Sequence, residues 1–106
     1  MIIKLKDGVI LREINEPFLT FCDTVYNIYR RFGVTPVITS GEEGDHRTGS
    51  LHYEGLAWDL RIWGLKEPDK VAWELQEALS LESQYWQVVF GDKHHRDHFH
   101  VEFDVN

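Results

Sequence analysis

The sequence predicts a single α+β domain over residues 1–106, with a mainly antiparallel sheet and two main helices packed on it. Two segments have the apolar spacing of amphipathic helices, and several short segments have the alternation of strands. These segments follow one another in the order (β)–α–β–β–α–β–β, which favours neighbouring antiparallel strands. A chain of 106 residues with 42% apolar side chains is also long enough to bury one hydrophobic core.

The N-terminal segment MIIKLKDGVILREI predicts two short extended stretches around a hairpin-type turn at Asp7-Gly8. The second stretch could equally begin the first helix. That helix is predicted in NEPFLTFCDTVYNIYRRFG, where Asn15 can cap the first turn and Gly33 can end the last one. Its predicted apolar face consists of Phe18, Phe21, Val25, Ile28 and Phe32.

The rest of the chain predicts four strands and a second helix. VTPVITSG and LAWDLRIW have strand patterns and flank the polar loop TSGEEGDHRTGS. EPDKVAWELQEALS then predicts a helix with Pro68 in its first turn, and YWQVVFG and HFHVEFDV predict the last two strands. The predicted core positions of this second helix are Val71, Trp73, Leu75 and Leu79, and core packing is also expected for Trp58 and Trp63.

Composition narrows the possible functions. A net charge of −7 with scattered basic residues argues against binding to a nucleic-acid backbone. No run of eighteen apolar residues exists, so no stable membrane association is expected. MIIKLKDG lacks the features of a signal peptide, which predicts synthesis in the cytoplasm and release by a partner protein if the site of action is outside. The single cysteine, Cys22, is expected to be a small core residue and not a nucleophile.

All six histidines lie in two windows, one at residues 46–52 and one at residues 94–100. In the last strand, alternation places His98, His100 and Glu102 on one face. Catalytic zinc sites commonly use three ligands drawn from His, Asp and Glu. A metal site is therefore one interpretation of these histidines, and an exposed polar strip is the other.

Asp59 is a carboxylate in an otherwise apolar strand. Such a group is costly to bury unless it is paired or bound to a cation. Pairing with Arg61, on the same face of the strand, is the simpler explanation, and a bound metal ion is the alternative.

The segment SLHYEGLAWD fits the pattern S-x-H-x-x-G-x-A-x-D at Ser50, His52, Gly55, Ala57 and Asp59. Near the C-terminus, DHFHVEF places Asp97 three residues before His100. Together these motifs resemble the signature of the M15 family of zinc peptidases. That family includes D-alanyl-D-alanine carboxypeptidases and dipeptidases, and the L-alanyl-D-glutamate endopeptidases of phage lysins. With VITSG before the loop, the resemblance covers residues 36–103.

The resemblance implies a hedgehog/DD-peptidase-like fold with one Zn²⁺ per chain, held by His52, Asp59 and His100. It also implies that Asp97 is the general acid/base in hydrolysis of a peptidoglycan peptide substrate. Because strict alternation would point Asp97 and His100 to opposite faces, we expect Asp97 in the loop that precedes the strand. His98 shares a face with His100 and could replace it as a ligand.

The sequence departs from the family where an arginine often follows the serine-glycine turn, because Ser40-Gly41 is followed here by Glu42. Arg47 is a possible substitute with a catalytic role, and a solvated loop arginine is an equal alternative. We expect contacts with the metal ligands or the substrate from four residues, which are Ser50, His46, His98 and Glu102. His94 and His95 are expected to be exposed loop residues.

Two other functions remain open from the sequence. The chain could be a non-catalytic zinc-binding module on the same fold, or a structural component of a phage or mobile element that carries this domain. Asp97 favours an enzyme, because a binding module has no need of an acid at that position. The sequence leaves open the bond cleaved, the oligomeric state and a metal other than zinc.

Overall fold

The computed structural model describes residues 1–44 and 49–105 and has the predicted α+β architecture. The predicted roles of His46 and Arg47 lie outside the described residues. The helices and strands are β1 (Lys4–Leu5), α1 (Glu16–Arg31), β2 (Val37–Ser40), a 3₁₀ helix (Leu51–Glu54), β3 (Ala57–Arg61), α2 (Pro68–Glu82), β4 (Trp86–Val89) and β5 (His98–Phe103).

The strands form one sheet in the order β1-β2-β3-β5-β4. β1 runs parallel to β2, and the other neighbouring pairs are antiparallel. The prediction of a mainly antiparallel sheet is therefore confirmed. Because β3 and β5 are adjacent at the centre, residues far apart in the chain face each other there.

The start of α1 is fixed as the sequence predicts. The Asn15 side-chain oxygen accepts a hydrogen bond from the Phe18 N–H at 2.8 Å, which satisfies one donor of the first turn. Its amide nitrogen also donates to the Gly55 carbonyl at 3.0 Å. Gly33 follows the helix with φ +73°, a conformation that glycine adopts without strain. Asn15 thereby ties the start of α1 to the end of the 3₁₀ helix.

Both helices pack on one face of the sheet. Phe21 of α1 stacks on Trp58 of β3 with ring centroids 4.7 Å apart, and Trp86 of β4 lies 6.2 Å from Trp58. The inward residues of β3 and β5 alternate with polar residues that point to the opposite face. The fully buried part of the core includes Phe21, Val25, Tyr29, Trp58, Leu60, Val71, Leu75, Leu79, Phe99 and Val101.

The predicted N-terminal hairpin is wrong. Residues Asp7 and Gly8 do form a turn, but β1 pairs in parallel with β2, and the residues after the turn form neither a strand nor the start of α1. Instead, the backbone of residues 10–13 crosses the end of β2. There the carboxylates of Glu42 and Glu43 accept hydrogen bonds from the backbone N–H groups of this segment. These bonds replace the backbone hydrogen bonds that a neighbouring strand would make.

Two of the predicted core tryptophans are exposed. Trp73 is 62% exposed, because it lies two residues after Val71 and so on the other side of α2 from the buried residues Val71, Leu75 and Leu79. Trp63 is 70% exposed, because it follows the end of β3 and stacks against the Arg61 guanidinium.

Cys22 packs against the core and is partly buried, as predicted for a structural thiol. Burial raises the pKa of this thiol to about 11, so the thiol stays protonated at neutral pH. In the described part of the chain, no helix is long and apolar enough to cross a bilayer.

Candidate metal centre

The central pair of strands brings Asp59 and His100 together on the face opposite the helices. Asp59 of β3 and His100 of β5 are register partners, and Asp59 Oδ1 lies 3.0 Å from His100 Nδ1. Both side chains alternate with buried residues on their strands, so the apolar packing of the other face fixes where they point. The pairing that the resemblance implies for these two residues is thus built by the sheet.

His52 reaches the same point from the 3₁₀ helix. The Ser50 hydroxyl accepts the His52 backbone N–H at 3.2 Å, and Gly55 ends the helix with φ +69° before β3 begins at Ala57. This short turn places His52 Nε2 3.4 Å from Asp59 Oδ1. Only 4% of His52 is exposed. The glycine of the motif therefore supplies the left-handed residue that turns the chain from the 3₁₀ helix into β3.

In both His52 and His100, one ring nitrogen is hydrogen-bonded to a protein acceptor and the other faces Asp59. His52 Nδ1 lies 2.9 Å from the Gly41 carbonyl, which can only accept a hydrogen bond, so Nδ1 carries the hydrogen. His100 Nε2 lies 2.7 Å from Glu102 Oε1 and donates in the same way. His52 Nε2 and His100 Nδ1 are then left beside the Asp59 carboxylate, which is the arrangement typical of metal-ligating histidines.

His52, Asp59 and His100 could hold a metal ion. Each offers one donor atom, and the three atoms lie within 4.8 Å of one another. Two imidazole nitrogens and one carboxylate oxygen are donors that suit zinc. Among the residues described, this is the one group of histidine, cysteine and acidic side chains that meets this distance.

The charges of the site favour a cation. Burial alone would raise the pKa of Asp59, but its contacts with His100 and His52 outweigh burial and hold that pKa well below its usual range. Burial likewise acts to lower the pKa of His100, and the hydrogen bonds to Asp59 and Glu102 raise it overall. Asp59 is therefore ionised at neutral pH and supplies a negative charge to the candidate site.

Asp97 lies in the loop immediately before β5, as predicted. Its side chain is 91% exposed, and Oδ1 lies 2.7 Å from His98 Nδ1. This hydrogen bond from His98 lowers the pKa of Asp97, so the carboxylate is ionised. His98 Nε2 lies 3.7 Å from Asp59 Oδ2, which places His98 between the two acids and outside the triad.

Two clefts meet at Asp59. The larger has a volume of about 780 Å³ and is lined by His52, His100 and Glu102 together with the loop after β4. The smaller has a volume of about 270 Å³ and contains Asp97 and His98. Asp59 lines both, so the triad separates two spaces that a ligand can approach.

Several roles differ from the sequence interpretation. Asp59 is bonded to histidines, while Arg61 stacks on Trp63, so the expected alternative of an Asp59–Arg61 pair is not formed. Ser50 contacts the backbone of His52 and not its imidazole. Glu102 holds His100, as expected for a partner of a ligand.

Sequence reasoning missed the Gly41 carbonyl and His95. No side-chain pattern reveals a backbone acceptor such as Gly41. His95 was expected to be exposed, but it is half-buried and its ring lies 5.1 Å from that of His100, with Nδ1 2.7 Å from Asp92 Oδ1. The spacing Asp92-x-x-His95 is the sequence feature that could have indicated a contact between these two side chains.

No family model matches the chain, and no curated protein matches it significantly.

Proposed function

We propose that the protein is a zinc-dependent peptidase of the family that its motifs resemble, acting on the stem peptides of peptidoglycan as a carboxypeptidase or an endopeptidase. The observation that supports this most is the pair of oriented histidines. His52 and His100 each direct one nitrogen toward Asp59, and the triad borders a cleft large enough for a peptide segment. Action at the cell wall after release by a partner protein belongs to the same proposal.

The chemistry needs a metal ion and a proton carrier. A bound zinc ion would lower the pKa of a water ligand and polarise the scissile carbonyl. Asp97 is the proton carrier in this proposal, because it is ionised and lines a cleft together with Asp59. It would take a proton from the attacking water and give it to the leaving amine.

His98 orients Asp97 in this scheme. Its Nδ1 donates to Asp97 Oδ1, while its Nε2 faces Asp59 Oδ2 at 3.7 Å. Since Asp97 is otherwise exposed to solvent, this hydrogen bond is the contact that holds its carboxylate near the triad.

One observation favours the alternative of a non-catalytic zinc-binding module. Asp97 lines the smaller cleft and not the larger one, and its carboxylate is engaged by His98. A module that binds zinc for structure or recognition would tolerate this placement, whereas a peptidase requires Asp97 to reach the attacking water.

The test is metal content by elemental analysis, together with amine release from purified peptidoglycan, for the wild type and three variants. His52→Ala should lose both zinc and activity. Asp97→Asn should keep about one zinc ion per chain and lose activity. Asp23→Asn, an exposed acid on α1, is the matched control and should retain both.

The outcomes separate the two functions. Zinc binding without hydrolysis of any wall type would support the non-catalytic module. Full activity in Asp97→Asn would remove Asp97 from the mechanism. A wild-type protein that binds no metal would contradict both functions.

A further inference from the structure

The outer edge of β4 is one of the two edges of the sheet. β4 is the last strand in the order β1-β2-β3-β5-β4, and one side of it pairs with β5. On its other side there is no neighbouring strand within residues 1–44 and 49–105. A strand edge presents backbone N–H and C=O groups that can pair with another chain. The contacts of these groups therefore bear on whether the protein associates with a partner.

The side chain of Gln76, on α2, bonds to this edge. Its Nε2 donates to the Trp86 carbonyl at 3.0 Å, and its Oε1 accepts the Val88 N–H at 2.8 Å. A residue of a parallel strand would make the same two bonds to a pair of residues two apart. Gln76 Nε2 also donates to Ser80 Oγ at 2.9 Å, which holds the amide in this orientation. The Gln76 amide therefore occupies the place of a neighbouring strand.

The two edges of the sheet are protected by different means. β1, at the opposite edge, is only two residues long and has lysine at positions 4 and 6. Short length and charge are common protections of an edge strand, as are proline and bulges. β4 is four residues long, its sequence WQVV has neither a charge nor a proline, and its register with β5 is unbroken. Gln76 supplies the protection that the sequence of β4 lacks.

The outer edge of β4 is self-complementary. Trp86 and Val88 direct backbone groups away from β5, since Gln76 bonds to both. Two residues directly opposite each other in an antiparallel ladder can exchange two hydrogen bonds. When Gln87 lies opposite Gln87 of a second copy, Trp86 pairs with Val88 of that copy, and Val88 with its Trp86. The edge thus matches itself about a two-fold axis at Gln87, the commonest symmetry of protein dimers.

We propose that the outer edge of β4 is a self-association surface for a second copy of this chain, and that Gln76 keeps it closed. When the Gln76 side chain moves away, two copies pair through β4 into one continuous sheet. The proposal does not depend on the proposed peptidase function.

The pairing also sets how the two copies are oriented. Gln87 is the register partner of Glu102, so its side chain lies on the face of the candidate metal centre. Directly opposite residues of a ladder point to the same face of a sheet. Both candidate metal centres of the dimer therefore open on the same side.

The test measures self-association of the full chain by light scattering over a range of concentrations. Gln76→Leu removes both bonds to β4 and keeps a side chain of similar size. Ser80→Ala loosens Gln76 from an exposed position, so it tests the proposal even if Gln76→Leu does not fold. Gln84→Leu is the matched control, because Gln84 is an exposed glutamine in the turn before β4.

We expect a monomeric wild type and a self-association constant at least about tenfold higher for Gln76→Leu. The wild type must break the Gln76 contacts of both copies before it pairs, whereas Gln76→Leu has none to break. Ser80→Ala should give a smaller rise, and Gln84→Leu should behave as the wild type. Hydrogen exchange of the Val88 amide should be faster in dilute Gln76→Leu than in the wild type, and should slow as the concentration rises.

A cross-link tests the position of the axis. In the proposed pairing, the two residues at position 87 have Cα atoms about 4.5–5.5 Å apart, which is within the range of a disulfide. The double variant Gln76→Leu/Gln87→Cys should therefore form a disulfide-linked dimer on oxidation. Gln76→Leu/Gln84→Cys should not, because its two cysteines lie far apart on opposite sides of the axis.

Three results would overturn the proposal. The first is no rise in self-association for either Gln76→Leu or Ser80→Ala. The second is a dimer that cross-links equally well, or not at all, at positions 84 and 87, because that dimer uses another surface. The third is a wild-type background in which Gln87→Cys alone cross-links as fast as the double variant, because Gln76 then does not close the edge.

Discussion

Asp59 and His100 face each other across the central strand pair, with 3.0 Å between Asp59 Oδ1 and His100 Nδ1. They are separated by 41 residues in the chain. The backbone ladder of β3 and β5 fixes their separation, and packing on the helix side fixes their direction. Two of the three candidate ligands therefore lie on the central strands of the sheet, and His52 lies on a 3₁₀ helix.

Zinc should stabilise the protein through Asp59. A ligand that binds only the folded state at 100 times its Kd adds about 2.7 kcal/mol to the free energy of unfolding. For a domain of this size, that corresponds to a rise in Tm of about 10 °C or more. Asp59→Asn should remove the rise in Tm, because it replaces the anionic carboxylate with a neutral amide. Asp23→Asn should keep the rise. Differential scanning fluorimetry with zinc and with a chelator measures the effect, and an undiminished rise in Asp59→Asn would exclude Asp59 as a ligand.

Glu102 should control zinc affinity without being a ligand. Glu102 accepts a hydrogen bond from His100 Nε2 and so fixes the orientation of that imidazole. Glu102→Ala removes this contact and should weaken zinc binding about 10- to 100-fold. Glu102→Gln keeps an acceptor and should cost less. Gln87 pairs with Glu102 on the neighbouring strand, and Gln87→Ala is the control expected to leave affinity unchanged. Competition with a chromophoric chelator gives the affinities. Wild-type affinity in Glu102→Ala would show that His100 is oriented by other contacts.

Glu43 should make stability depend on pH in the acidic range. Burial acts to raise the pKa of Glu43, but the N–H groups of Ile10 and Gly41 and the Ser40 hydroxyl lower it overall from the ordinary 4.5. A lowered pKa in the folded state contributes stability above pH 4.5, and that contribution is lost as pH falls further. Glu43→Gln should cost about 1 kcal/mol at pH 7, with the difference shrinking below pH 4.5. Urea unfolding at several pH values measures this, and a cost that does not vary with pH would contradict it.

Gly41→Ala should damage both stability and metal binding. An added Cβ would lie 2.6 Å from the Ile10 carbonyl oxygen and 2.8 Å from Leu11 Cδ2. Backbone must therefore move, at a cost of about 1–3 kcal/mol, and the Gly41 carbonyl that holds His52 moves with it. The double variant Leu11→Ala/Gly41→Ala relieves only the side-chain clash and should recover only part of the stability. A single variant with unchanged Tm and zinc affinity would show that the segment shifts without cost.

Much of this fold can be predicted from the sequence, because apolar residues recur with the period of a helix or of a strand. The four-residue spacing of Val71, Leu75 and Leu79 predicts α2, and the alternation of β5 predicts which face carries His100. Trp73 is exposed although it is strongly hydrophobic, because its position in the helical period places it on the side of α2 away from the core. For Trp63, stacking on Arg61 depends on the register of β3 with β5, which a single sequence does not reveal.

The family resemblance implies the candidate triad of His52, Asp59 and His100, but the contacts that orient these side chains cannot be predicted from the sequence. The Gly41 carbonyl is a backbone group, and its place beside His52 depends on how residues 41–44 fold back. The same applies to Glu42, which has 7% exposure and would be expected on the surface from its chemistry. Its partners are the backbone N–H groups of Arg12 and Glu13, and no side-chain pattern marks them.

The anchoring of residues 10–13 by Glu42 and Glu43 limits how far the protein can be shortened. A truncated form that starts at α1 would keep all three candidate ligands and both helices. It would nevertheless leave the Glu42 carboxylate in place without the donors of Arg12 and Glu13, next to the carbonyl that orients His52. The smallest unit that keeps the contacts of the candidate site therefore includes residues 10–13, which precede the first helix and have no regular secondary structure.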